Sequence, residues 1–215
     1  MAVIALKGGS GKTTIAAHMA LAAHLRGIDT LVVDVDPQQS TLSVLSARGD
    51  GGPTCVASSG PKLMSAQFAA VGLKKELLIV DTPAGSVEDV SEAIVLADLA
   101  LLVVRPTLLD LAGLARTLSL VRRLGKPCLV VVNQAPTARG SVEAPLVKRA
   151  LKGLEYMRAP VAGTIVRLRS VYQTALETGR SAEEMQDVVA AREIAALWKH
   201  VEMALEAAAE ETERA

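Results

Sequence analysis

A chain of 215 residues, half of them hydrophobic, is long enough to bury one sizeable core, so a single domain is expected over residues 1–215. Lys and Arg together number 23, as do Asp and Glu, which excludes a global pull on nucleic acid or membrane and leaves any such binding to a local patch. Aromatics make up only 2%, so the core must come from Ala, Val, Leu and Ile, and Cys55 and Cys128 fall in no metal or redox spacing, which fits a reducing cytoplasm.

The first predicted strand, AVIAL (2–6), begins at once, and no secretory leader is expected. It runs into KGGSGKTT (7–14), a glycine-rich turn that departs from the phosphate-loop pattern G-x-x-x-x-G-K-[ST]. Leu6 stands where the first glycine should be, and a second lysine, Lys7, stands next to it. Gly8, Gly9 and Gly11 let the backbone curl so that successive N–H groups, with those of Ser10 and Thr14, point at phosphate oxygens. A helix expected over 12–26 adds partial positive charge at its N-terminus. Lys12 would reach the β- and γ-phosphates, and the Thr13 hydroxyl would ligate Mg²⁺. His18, His24 and His200 show no metal spacing and read as ordinary helix residues.

The second strand, DTLVVDV (29–35), leads into DPQQS. Asp34 and Asp36, two apart on a strand, face the same side, and Pro37 ends the strand there. One carboxylate could hold a Mg²⁺-bound water while the other orients the attacking water. Solvated carboxylates closing a strand would give the same pattern. A helix over 40–47, a loop at SARGDGGP (46–53) and a helix over 61–72 follow. The third strand, ELLIVD (76–81), delivers Asp81 after four apolar residues, as a Walker-B magnesium contact requires. Thr82, Pro83 and Gly85 then form a short loop able to sense a γ-phosphate.

Next come a helix over 87–96, a strand LALLVV (99–104) and a helix over 110–124. The strand CLVVVN (128–133) ends in Asn133, an adenine contact or a strand-end cap. A helix over 141–153, a strand PVAGTIV (160–166) and a helix over 170–178 precede a final helix from Asp187, whose tail should fray from about 207. Within that final helix Ile194, Leu197, Trp198, Val201 and Leu205 recur at helical spacing and read as a stripe packed on the core. The alternation predicts an α/β fold, a mostly parallel twisted sheet flanked by helices, with ligands beyond the carboxyl ends of the strands. Apolar runs such as LADLALLVV are too short to span a bilayer.

KGGSGKTT together with DVDPQ and IVDTPAG resembles the ParA/MinD group of P-loop ATPases, whose signature is this deviant loop. VVRPTLLDLAGL (103–114) and GTIVRLRSVYQTALETGRS (163–181) resemble further segments of its small partition ATPases, so the resemblance spans nearly the whole chain. It implies ATP and Mg²⁺ as cofactors and weak, partner-stimulated hydrolysis of ATP. It further implies that Lys7 reaches across a homodimer to the phosphates held by the other subunit, that Lys12 and Asp36 are catalytic, and that Thr13 binds Mg²⁺ directly while Asp34 and Asp81 do so through water. ATP adds negative charge at the shared face and a lysine from each partner neutralises it, so ATP favours the dimer.

Members of the ParA-like branch bind DNA non-specifically as ATP dimers. Residues 145–180 carry seven Lys or Arg (Lys148, Arg149, Lys152, Arg158, Arg167, Arg169, Arg180) against Glu155 and Glu177, a footprint that suits DNA or a plain solvated face. Arg167 and Arg169, with Lys148 and Arg149, are the expected DNA contacts. MinD-like members instead end in a basic amphipathic helix that binds membranes. Here nine acids stand against three Lys or Arg from Glu183 onward, so no membrane binding is expected. Site-specific operator binding through a helix-turn-helix segment ahead of the loop is not expected. The expectation is therefore a cytoplasmic, nucleoid-associated ATPase that positions a plasmid or a large protein cluster with a ParB-like or cargo adaptor protein. The alternative is a MinD-like membrane regulator. A metallocentre-maturation ATPase would need paired cysteines, and an amidoligase would need a substrate pocket for which the chain offers little extra sequence.

Overall fold

The computed structural model describes residues 1–49, 51–58, 67, 70–85 and 87–214. Six parallel strands form one sheet: β1 (Ala2–Ile4), β2 (Thr30–Asp34), β3 (Thr54–Ala57), β4 (Leu77–Asp81), β5 (Ala100–Val104) and β6 (Cys128–Val132). Their spatial order is β3-β2-β4-β1-β5-β6. The chain leaves β1 towards β2 on one side and reaches β5 and β6 on the other, so β1 lies where the winding reverses. A crevice at such a point receives ligands beyond the strand ends. Register sharpens this placement. Asp34 at the end of β2 is the direct neighbour of Asp81 at the end of β4, and Val3 of β1 pairs with Asp81 on its other side.

Buried on both faces, the strands are continuous apolar runs rather than alternating ones. Val3, Ile79, Leu101 and Val131 point to one face, against α1 (Lys12–Leu25), α6 (Val171–Leu176) and α7 (Val188–Arg214). Ile4, Val80, Leu102 and Val130 point to the other, against α3 (Val87–Leu96), α4 (Leu108–Arg123) and α5 (Pro145–Tyr156). A further helix, α2 (Ser40–Ser46), follows β2. α1 is buried almost all round, and its Ala16, Ala17, Ala20, Ala22 and Ala23 let it lie close against its neighbours. The α7 stripe packs as expected: Ile194, Leu197, Trp198 and Val201 are buried and Leu205 leans on the same cluster.

Four features differ from the sequence reading. β3 was expected as neither strand nor helix. It is an edge strand held by its register with β2 rather than by burial, so it carries little hydrophobic signal. The strand expected over 160–166 is instead an irregular edge that bonds β6 at Val130 and Val132 and forms isolated bridges at Val130–Val161 and, just past β6, Ala135–Arg167. Between them the chain bends at Gly163, where an added Cβ would press on the His200 ring at 3.0 Å. Pro145 at the first turn of α5 moves the start of that helix from 141 to 145. α7 continues through Arg214 rather than fraying from about 207. The helix expected over 61–72 falls largely outside the described residues.

Candidate nucleotide-binding site

The loop from Lys7 to Gly11 sits at the end of β1 and turns directly into α1. Gly9 and Gly11 adopt left-handed φ of 75° and 88°, and a Cβ on Gly11 would collide with Nδ2 of Asn133. Both positions thus require glycine. Two amides from the end of β6 grip the loop: Asn133 Nδ2 donates to the Ser10 carbonyl at 2.8 Å, and Gln134 Nε2 donates to the Gly9 carbonyl at 3.1 Å. Among the described residues, no backbone N–H from Gly8 to Lys12 donates to another residue. With its carbonyls held and its N–H groups free at a helix N-terminus, the loop is built to receive an anion.

Asn133, expected as an adenine contact or a strand-end cap, has its side chain buried under the loop, where Nδ2 is given to Ser10. Gln134, which the sequence reading passed over, is the second half of the grip and holds φ at 52° to make it. Gly8 faces the loop after β4, its Cβ position lying 3.9 Å from that of Ala84. The Thr82 hydroxyl donates to the Val3 carbonyl at 2.9 Å, which ties the start of the loop expected to sense a γ-phosphate to β1.

Lys12 opens α1 with only 7% of its surface exposed. Burial pushes its ammonium below the usual range, and Asp81 and Asp36 partly offset that. No carboxylate among the described residues lies within ion-pairing distance of it. Asp81 is buried beside it. Its Oδ2 accepts from Thr13 Oγ1 at 3.0 Å and from Thr41 Oγ1 at 2.7 Å, while Oδ1 is buried with no partner. Burial raises this carboxyl to about 6, against the pull of the Thr41 and Thr13 hydroxyls. Thr41, in the first turn of α2, is a site residue that the sequence reading missed.

The Asp81 carboxylate, with Oδ1 orphaned and Oδ2 taking two hydroxyls, stands with Thr13 at the start of α1 as an all-oxygen donor set of the kind Mg²⁺ takes. Thr13 and Asp81 fit that ion. Asp34 fits it less well than expected. It is fully buried, and its two oxygens accept the N–H groups of Asp36 at 3.1 Å and Leu42 at 3.0 Å. Its first task is to hold the turn and the start of α2. Asp36 is half-buried, and one of its oxygens accepts from the Gln38 N–H at 2.9 Å. Thr14 accepts from Gln173 Nε2 at 3.3 Å, tying α1 to α6.

His18, one turn further along α1, is fully buried. Its Nδ1 accepts from the Ala182 N–H and its Nε2 lies 3.3 Å from the Tyr172 carbonyl, so the proton sits on Nε2. Burial lowers its pKa to about 4, against the bond to Tyr172.

Lys7 does not lie with Lys12. Its side chain is 42% exposed, and Nζ rests 3.3 Å from Oδ1 of Asp110. Asp110 is buried. Burial alone would raise its carboxyl, but hydrogen bonds from Arg105, Thr107 and Lys7 hold it below the usual carboxylate range.

The expected DNA contacts divide. Lys148 and Arg149 are exposed on α5 and form no ion pair among the described residues. Arg167 and Arg169 differ. Arg167 forks Glu143 at 2.9 and 2.7 Å and donates to the Pro136 carbonyl; Arg169 pairs with Glu193 at 2.7 Å. Glu193 also accepts from the Tyr172 hydroxyl at 2.6 Å and the Arg167 N–H at 2.9 Å. Both arginines are thus neutralised within the chain, by Glu143 and Glu193, which lie outside the basic 145–180 stretch. No helix among the described residues is long and apolar enough to cross a membrane.

Comparison with known proteins follows the same lines. The profile of the CobQ/CobB/MinD/ParA nucleotide binding domain matches residues 1–182. A curated Sinorhizobium fredii protein described as "Putative replication protein A" is 54% identical over 44 residues, which is 20% of this chain and 11% of that protein. The chain thus spans about a tenth of the length of that relative. Among solved structures, a McdA variant from Cyanothece in complex with ATP superposes with a TM-score of 0.77 at 18% identity, covering 95% of each chain. The septum site-determining protein MinD of Pyrococcus horikoshii, complexed with Mg-ADP, gives 0.73 at 18% identity, covering 93% of this chain and 94% of that one. At these identities the likeness is one of fold.

Proposed function

This chain belongs to the CobQ/CobB/MinD/ParA nucleotide-binding family, and from that premise we propose that it is a ParA-like ATPase that dimerises on ATP, binds DNA non-specifically as the dimer, and is released when a partner stimulates hydrolysis. The observation that carries the reading is the loop corner: free backbone N–H groups, a buried Lys12 with no carboxylate on it, and an orphaned Asp81 oxygen. All three ask for a bound anion and a cation. Mg²⁺, when bound, would neutralise phosphate charge. Thr13 and Asp81 would hold it, Lys12 would meet the β- and γ-phosphates, and Asp36 would orient the water at the open side of the site.

The dimer part of the reading rests on Lys7. Lys7 stands at the loop outside the Lys12 pocket, partly exposed and paired with Asp110 at 3.3 Å, so in this proposal it leaves that pair to serve a second subunit. ATP-dependent pairing would then double any surface patch. With about two phosphate contacts from each subunit, affinity for DNA should fall on the order of a hundredfold between 50 and 200 mM salt. The exposed cations on and after α5, Lys148, Arg149, Lys152 and Arg158, carry that role in this proposal, since Arg167 and Arg169 are already paired. The cargo is a plasmid or a large cytoplasmic assembly reached through a ParB-like or cargo adaptor protein.

The test is binding of the purified chain to unrelated DNA with ADP, ATP and a slowly hydrolysed analogue, at two salt concentrations. Binding only with the triphosphate, weakened by salt and by Lys148→Glu with Arg149→Glu, supports the proposal. No binding with any nucleotide sinks it. Nucleotide-dependent sedimentation with anionic liposomes would then favour a MinD-like membrane regulator instead.

A further inference from the structure

Beside the phosphate loop stands a second charged group that helix capping does not explain. Thr107 caps α4 by accepting the Asp110 N–H at 3.2 Å, and a cap of that kind is complete without an arginine. Asp110 nevertheless gathers Arg105 Nε at 2.8 Å, Arg105 Nη2 at 3.2 Å, Thr107 Oγ1 at 2.6 Å and Lys7 Nζ at 3.3 Å. Two cations share one carboxylate, so the group keeps one positive charge in excess next to an anion site.

The fork fixes the plane of the guanidinium. With Nε and Nη2 turned to Asp110, Nη1 remains, and it donates to no residue among those described. It lies 3.7 Å from where a Cβ on Gly9 would stand. Gly9 is at the tip of the loop, beyond the helix start, where the first-turn N–H groups would take the inner phosphates and Lys12 would meet the β- and γ-phosphates from the other side. The tip is what an outermost phosphate reaches. A guanidinium edge with unspent donors therefore waits where a triphosphate differs from a diphosphate.

We propose that Arg105 binds the terminal phosphate of a nucleoside triphosphate held in its own subunit, with Asp110 as the positioning residue that aims it. This rests on the nucleotide-binding reading above, and it adds to the site a residue that discriminates triphosphate from diphosphate before any second subunit arrives.

The experiment titrates wild type, Arg105→Ala and Arg105→Lys with ADP and with a non-hydrolysable ATP analogue, each with Mg²⁺. Light scattering confirms that the samples are monomeric, and thermal unfolding is recorded alongside. Arg105→Ala should weaken the analogue about tenfold to a hundredfold while changing ADP by less than about threefold. Arg105→Lys keeps the charge but cannot fork Asp110, so it should recover only part of the loss. Equal losses for both nucleotides, or none, overturn the assignment. If Arg105→Ala does not fold, Arg105→Lys decides: a selective loss of the analogue supports the proposal and an unchanged ratio overturns it. Wild type binding neither nucleotide would overturn the nucleotide reading itself, which the wild-type titration alone reveals.

Discussion

At the loop corner, Lys12 is buried without a carboxylate and Asp81 keeps an orphaned oxygen. Along the edge beyond β6, Arg167 and Arg169 are each closed onto a glutamate, and Tyr172 joins the second pair. The two regions are comparably rich in charge, yet the first leaves its charges unsatisfied and the second satisfies them internally. An unpaired buried ion costs stability unless something arrives to neutralise it. A forked, hydrogen-bonded pair is complete as it stands. Incomplete charge therefore marks the ligand site, and complete charge marks the frame that holds α6 and α7 to the sheet edge.

Substitutions at the two places should behave as opposites. Lys12→Gln is expected to lower nucleotide affinity about a hundredfold or more, since it removes a charge-assisted contact from a dry site. It should leave the stability of the empty protein unchanged or slightly higher, because an unpaired buried ammonium has gone. Glu193→Gln should do the reverse. It takes the charge partner from Arg169 and weakens the bond to Tyr172, lowering stability by about 1–3 kcal/mol while nucleotide affinity stays within about twofold. Calorimetric titration and urea unfolding of the same two variants decide the matter. If both lost affinity and neither lost stability, the contrast would be wrong.

The next largest effect lies in pH. In the absence of metal, burial raises Asp81 from 3.8 to about 6. The native chain then holds that proton more tightly than the unfolded one, so this contribution is present below about pH 4 and is lost as pH rises through 6. His18 works in the other direction. Its pKa falls from 6.5 to about 4 by burial, so the unfolded chain binds the proton first and stability is lost as pH falls from 6.5 towards 4. Each shift is worth on the order of 3 kcal/mol at most, and they oppose each other between pH 4 and 6. Asp81→Asn removes one of them. In chelator, that variant should lose stability towards acid more steeply than wild type, as read from urea midpoints between pH 4 and 7.5. Parallel curves for the two proteins would rule out a raised Asp81.

What could be read from the sequence depended on whether partners lie close along the chain. Gly8 to Thr13, Asp81 at a strand end and the parallel sheet are local patterns, and all three stand where they were expected. Thr41 could not be found that way, because its reason for being there is Asp81, 40 residues on. Gln134 and Asn133 answer to carbonyls more than 120 residues earlier. The pairing of Arg167 and Arg169 was hidden for the same reason, since Glu143 and Glu193 each lie 24 residues away on other elements. β3 escaped because an exposed edge strand is specified by its neighbour's hydrogen bonds rather than by its own side chains.

The smallest effect tests the grip on the loop. Gln134 is partly exposed and adds one neutral hydrogen bond, to the Gly9 carbonyl, whereas Asn133 is buried and adds its bond from beneath Gly11. Gln134→Ala should therefore cost about 0.5–1 kcal/mol of stability, and its left-handed φ of 52° makes the replacement slightly worse than at an ordinary position. Its main consequence should appear in binding. A Gly9 carbonyl released from Gln134 leaves the tip of the loop free to turn, so part of the order now built into the empty protein must be supplied by the ligand, weakening nucleotide binding about threefold to tenfold. If the loop were rigid from its own glycine conformations, Gln134→Ala would bind nucleotide as wild type does, and the pre-organisation assigned to β6 would belong to the loop alone.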